Sequence, residues 1–130
     1  LCSEFGGGGT VTPDILKICE DGLLRALHAF NLLTALPDGL SPPQVPRYLE
    51  IKGDEHYIYA SEDGLHEPLV ELGEEVHAGD AAGVIHFPET PQREPQIKYF
   101  QSDGIVVCKR VPGRSERGDC LFHITSDWPE

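Results

Sequence analysis

The sequence contains no methionine and one tryptophan, and its basic residues are few, ten lysines and arginines against twenty-two aspartates and glutamates. The formal charge of −12 argues against a nucleic-acid or anionic-membrane partner, because phosphate recognition needs a basic footprint. Long apolar runs are missing too. The most apolar stretch, residues 23–36, is interrupted by Arg25, His28 and Asn31 and is too short and too polar to span a bilayer. No signal peptide is visible, and a start of Leu1-Cys2 without any methionine reads as a piece of a longer protein. The four cysteines form no Cys-x-x-Cys pair, so reduced, mostly buried thiols in a cytoplasmic protein are the expectation. A chain of 130 residues is one ordinary domain, or a small domain with part of another.

What the sequence does contain begins with a run of four glycines. Ser3-Glu4-Phe5-Gly6-Gly7-Gly8-Gly9-Thr10-Val11-Thr12-Pro13-Asp14 reads as a strand end, a glycine turn and a helix start. Thr12 suits the N-cap and Pro13 the first helical position. A phosphate cradle is excluded, because no lysine follows the glycines until Lys17. A flexible linker and a site turn presenting Glu4 both fit, since glycine allows φ > 0 and close approach to the backbone.

The periodicity predicts one helix over residues 13–36. Ile15, Leu16, Cys19, Gly22, Leu23, Ala26, Leu27, Phe30 and Leu33 share a face at about 100° per residue, with Lys17, Glu20, Asp21, His28 and Asn31 opposite. Gly22 costs a mid-helix position about 1 kcal/mol and is expected at a close-packing point. The segment from Leu36 to Pro46 carries four prolines and marks a boundary. Beyond it the pattern turns β, with short strands expected over 48–51, 57–60, 69–71, 82–87, 97–100, 105–110 and 120–125. Two parts of this region look like copies. Asp63-Gly64 precedes Gly79-Asp80 and a strand, and Asp103-Gly104 precedes Gly118-Asp119 and a strand at a nearly equal interval. Such a duplication predicts a quasi-symmetric sandwich in which each half covers the other's apolar face.

Glu4-Phe5-Gly6-Gly7-Gly8-Gly9-Thr10-Val11-Thr12-Pro13 resembles the catalytic-glutamate segment of the succinylglutamate desuccinylase/aspartoacylase family, zinc-dependent deacylases related to the zinc carboxypeptidases. The four-glycine form is most similar to the branch with N-α-acetyl-diaminobutyrate deacetylases, and Phe5 departs from the aliphatic residue expected there. The duplicated half-motif resembles the barrel-sandwich of biotinyl and lipoyl domains, a fold similar to that family's second domain. The resemblance implies that Glu4 is the general base. It also implies a single Zn²⁺ held by upstream residues not present in this chain, and a role at the substrate channel for Glu62 and His66 in the loop 61–66.

Other chemistries find less support. A biotinyl or lipoyl carrier needs a lysine at the hairpin tip, and residues 88–95 have none; Lys98 lies too close to the second half-motif. His86 and Glu89 have the His-x-x-Glu spacing of a ligand pair, and His77 and Asp80 look ligand-like, but a zinc site needs three convergent side chains. No metal site is therefore expected within the chain. His28 is expected to be a solvated side chain, and no Gly-x-Ser-x-Gly elbow is present.

The expected fold class is α+β. Residues 1–40 would be the last strand, turn and helix of an α/β zinc-carboxypeptidase-like catalytic domain, and residues 46–125 a mostly β barrel-sandwich second domain. The expected function is deacylation of a small N-acyl amino acid, such as N-acetyl-diaminobutyrate, by a cytoplasmic parent enzyme, the chain alone being inactive. Homo-oligomer formation stays open. The alternative is a non-catalytic biotinyl-like interaction module whose glycine run is a tether.

Overall fold

The computed structural model describes residues 10–40 and 45–129. Contacts divide the chain into a first unit ending at Val45 and a second beginning at Pro46. The described residues are mostly β with one α-helix.

The first unit is built on α1 (Pro13–Ala29). Thr12 is the N-cap, its side chain accepting from the Ile15 N–H at 3.3 Å, and Pro13 opens the first turn. The helix stops well before the predicted residue 36. Asn31 takes φ 57°, the Leu32 N–H donates back to the Leu27 carbonyl at 2.9 Å, and the Asn31 N–H donates to the His28 carbonyl at 3.0 Å. This is a Schellman ending with asparagine in the left-handed position, a short polar side chain that tolerates φ > 0. Burial within the described residues does not follow the apolar stripe. Asp21, placed on the polar side, is the buried residue of the helix and pairs with Lys17 at 3.2 Å, whereas Leu16, Ile18, Leu23 and Phe30 are exposed. Gly22 is not a close-packing point, since a Cβ there would meet nothing within 4 Å. Periodicity reports an amphipathic stripe; burial depends on what lies against it.

The second unit holds nine strands in two sheets. One sheet runs β1 (Leu49–Glu50), β9 (Cys120–Asp127), β7 (Gly104–Lys109), β4 (Glu75–Val76), with β2 (Tyr57–Tyr59) also paired to β9. The other runs β6 (Gln96–Tyr99), β5 (Ala81–His86), β3 (Gly64–Pro68), β8 (Arg114–Ser115). All ladders are antiparallel. The core lies between the sheets and includes Ile58, Val76, Ile85, Phe100, Val106, Leu121, Phe122 and Ile124, all buried. Phe122 is its centre, edge-on to Phe100 at 5.8 Å and to His66 at 5.4 Å between ring centroids.

The duplication is realised as an exchange. Gly64 and Leu65 of the first half pair with Ser115 and Arg114 of the second, and Gly104 and Ile105 pair with Val76 and Glu75. Each half also ends in the same turn. The Asp80 N–H returns to the His77 carbonyl and the Asp119 N–H to the Glu116 carbonyl, both at 3.0 Å. Asp80 Oδ2 accepts from the His77 N–H at 2.8 Å, and Asp119 Oδ2 from the Glu116 N–H at 2.7 Å. The turns are then crossed. Asp103 Oδ1 accepts from the Ala78 N–H and Asp63 Oδ1 from the Arg117 N–H, both at 2.8 Å, so each Asp-Gly of one half caps the Gly-Asp turn of the other.

Two strand expectations fail. Residues 69–71 are not a strand, and Gly64–Pro68, read as loop through His66, is one. Glycine and proline at its ends hide it from propensity, and pairing on both sides, to β5 and to β8, decides it. The thiols differ as well: Cys108 and Cys120 are free but exposed, and Cys19 is half-buried.

Gly79 and Gly118 take φ 94° and 93° at the third position of their turns, where only glycine is unstrained. Gly79→Ala and Gly118→Ala should each lower stability by about 1–2 kcal/mol, the cost of an L-residue in the left-handed region. Urea unfolding of both variants checks this, and a silent substitution at either turn would mean the two are not equivalent.

Candidate functional site

Glu4 and its glycine run lie outside the described residues. What is described directly after them is the expected exit, with Thr12 capping α1 and Pro13 at its first position.

Glu62 sits in the turn between β2 and β3, where its Oε1 accepts from Arg93 Nη2 at 2.6 Å. That hydrogen bond holds the Glu62 carboxyl below the usual carboxylate range, and burial opposes it only partly. Glu62 is therefore a fixed negative charge at neutral pH and not a proton shuttle. Arg93 is itself stacked over the Phe87 ring, 3.7 Å from its centroid, so the loop after β5 is fastened to the turn before β3.

His66 faces the other way from its strand neighbours. Leu65 and Glu67 are exposed, while His66 is 4 % exposed and packs on Phe122, an alternation that β geometry imposes. Its Nε2 has no hydrogen-bond partner among the described residues. The structure thus places Glu62 on the surface and His66 in the interior, two sites rather than one cluster.

The remaining histidines are dispersed. His86 Nε2 contacts Glu67 Oε2 at 2.6 Å, on the neighbouring strand, rather than forming part of a ligand pair with Glu89. His77 lies 3.6 Å from Asp103. His56 is buried, its Nδ1 accepting from the Lys52 N–H at 2.9 Å. Among the described residues no three His, Cys, Asp or Glu side chains converge to hold a metal ion. No helix among them is long and apolar enough to cross a membrane.

No protein-family model matches the sequence. The chain is 28% identical over 124 residues to the N-alpha-acetyl-L-2,4-diaminobutyric acid deacetylase of Halomonas elongata, across 95% of this chain and 36% of that protein. It superposes on the crystal structure of a succinylglutamate desuccinylase/aspartoacylase from Rhodobacter sphaeroides with a TM-score of 0.85 and 31% identity, across 98% of this chain and 39% of that one. The chain is a relative of the succinylglutamate desuccinylase/aspartoacylase proteins. It spans between a third and two fifths of the length of these deacylase-type relatives. A further likeness, 30% identity over 129 residues, is to a subunit of the A-type ATP synthase of Methanococcus vannielii, covering 90% of this chain and 20% of that protein.

Two arginines have no role legible in the sequence pattern. Arg93 and Arg114 both border a cleft beside the Glu62 turn. Arg93 lies in the loop 88–95, which stands out in the sequence only for lacking a carrier lysine, and Arg114, in the second half-motif, carries no signal of its own.

His66 and His123 both titrate below the ordinary histidine value, first because burial penalises the charged ring. Arg110 and Lys109 add to this at His66, and His56 at His123. Such rings bind fewer protons folded than unfolded, so their contribution to stability is complete above the unfolded value of about 6.5 and declines as pH falls below it. Urea midpoints should drop between about pH 7.5 and pH 5, and His66→Leu should flatten that slope. Glu62 and Asp127, pushed below the usual carboxylate range by their arginines, respond only at more acidic pH. A midpoint independent of pH over this window would contradict a neutral His66.

Proposed function

We propose that this chain is the carboxyl-terminal part of an enzyme that hydrolyses the amide of a small N-acyl amino acid, with N-acetyl-diaminobutyrate the preferred substrate. The observation that carries this reading is likeness to a deacetylase and to a desuccinylase/aspartoacylase over nearly the whole chain. The segment Glu4 to Pro13 adds to it, since a carboxylate, four glycines and a Thr-Pro helix start resemble that family's catalytic-glutamate segment.

In this reading residues 1–40 close the catalytic domain and residues 46–125 form a second domain of barrel-sandwich type, biotinyl- or lipoyl-like. The exchanged pairs β3–β8 and β4–β7 support that assignment. Glu4 takes a proton from the attacking water and delivers it to the leaving amine, which needs a carboxyl value raised toward neutrality by burial. Glu62 lends a fixed charge to the approach. Zinc is the metal this family reading implies. The described residues do not fit it, as no three ligands converge, and its ligands are assigned to segments outside this chain. The chain alone is then inactive, and the enzyme works in the cytoplasm.

A second reading is a non-catalytic interaction module tethered by its glycine run.

In the complete enzyme, Glu4→Gln should lower kcat by at least about 100-fold, in the range of a lost general base, with folding and zinc content unchanged. Near-full activity would remove Glu4 from the mechanism, and no deacylase activity in the unaltered enzyme would favour the module. Calorimetric titration of the untagged 130-residue chain should show no stoichiometric zinc binding. One zinc bound per chain would relocate the metal site to these residues.

A further inference from the structure

The second unit carries a cleft of about 600 Å³ between the Asp63-Gly64 turn, Leu65 of β3, the loop from Phe87 to Arg93, and Arg114 of β8. Its volume lies within the range of small-molecule sites. One wall is preformed, because Arg93 is held by Glu62 at 2.6 Å and by the Phe87 ring. That arginine's charge is already balanced.

Arg114 is different. It lies across the ladder from Leu65, and its guanidinium makes no hydrogen bond or ion pair with any described residue; only its backbone carbonyl is used, by Arg110. In a chain of formal charge −12, an uncompensated guanidinium lining a cleft is an anion-recognition group. The same cleft also presents two carboxylates, Asp63 and Glu89. Asp63 accepts only from the Arg117 backbone N–H, and Glu89 has no partner among the described residues.

The balance of charge selects the ligand. With Arg93 neutralised by Glu62, one cation faces two carboxylates, so a phosphate or other polyanion is repelled. A molecule with a carboxylate for Arg114 and an ammonium for Glu89 and Asp63 matches both signs. The apolar walls, Leu65, Phe87 and Pro88, suit a short aliphatic segment between the two ends.

We propose that this cleft binds a small zwitterion of the amino-acid class, its carboxylate on Arg114 and its ammonium between Glu89 and Asp63. The site needs neither Glu4 nor a metal, and so it stands apart from the deacylase reading.

Two-dimensional amide NMR of the 130-residue chain tests it, with L-2,4-diaminobutyrate and its Nα-acetyl derivative as probes. Saturable shifts are expected at residues 63–65, 87–93 and 114. Propionate, which lacks the ammonium, and 1,4-diaminobutane, which lacks the carboxylate, should each bind at least about tenfold more weakly, as expected when one charge-assisted pair is lost. Arg114→Gln should weaken both probes by about tenfold or more, and Glu89→Gln should weaken them while leaving propionate unchanged. Arg114 is exposed, and an unchanged spectrum away from the cleft shows that the variants fold. No saturable shift up to on the order of 10 mM probe would overturn the proposal, as would wild-type binding by Arg114→Gln. An active Glu4→Gln enzyme together with a binding cleft would remove Glu4 from the deacylase mechanism and leave this site standing.

Discussion

The second unit depends on one reciprocal interaction, the exchange of strand pairs between its two halves. β3 gives its edge to β8 and β7 gives its edge to β4, and at each crossing an aspartate of one half accepts from a backbone N–H in the other's turn. Neither half can close by itself, because each leaves short strands without a partner and one apolar face uncovered. The ladders are short, two residues each at β4 and β8. Such ladders persist only because the turns beside them are fixed by carboxylate-to-amide bonds and by glycines at positive φ.

That frame sets what the surface can do. β9 is the longest strand and pairs with β1, β2 and β7, so the core side chains Leu121, Phe122 and Ile124 sit on the most constrained element. His66 is pressed onto Phe122 by the same packing, and a Cβ at Gly83 would come within 2.7 Å of its Nε2. The interior therefore keeps a neutral imidazole whose Nε2 has no hydrogen-bond partner among the described residues, at the cost of acid lability. Outside, the chain bends away from the sheet after β5, and Arg93 fastens this excursion back to Glu62. A rigid scaffold carrying one anchored loop is how binding residues are usually presented.

Legibility followed the range of the interaction. The start of α1 was readable because Thr12 and Pro13 act within one turn. Its end was not, because asparagine stood where glycine would have announced the stop. The internal copy was visible from Asp63-Gly64, Asp103-Gly104 and the two Gly-Asp turns, yet spacing alone could not say that each caps the other half's turn. β3 was missed because Gly64, His66 and Pro68 are poor strand formers, and pairing to two neighbours outweighs that. His66 followed from the same error, since a residue assigned to a loop was expected outside and a strand residue at that parity points in.

By itself the sequence determined the α+β character, a proline-rich boundary within residues 36–46, the duplicated turns and the likeness to deacylases, all properties carried by residues close in the chain. Tertiary structure alone decided that Asp21 is buried, that His86 pairs with Glu67, that Glu62 holds Arg93, and that Arg114 is left over beside Asp63 and Glu89. The physical reason is the same in every case. Charge and burial depend on which side chains pack together in the folded chain, and periodicity alone does not record that packing.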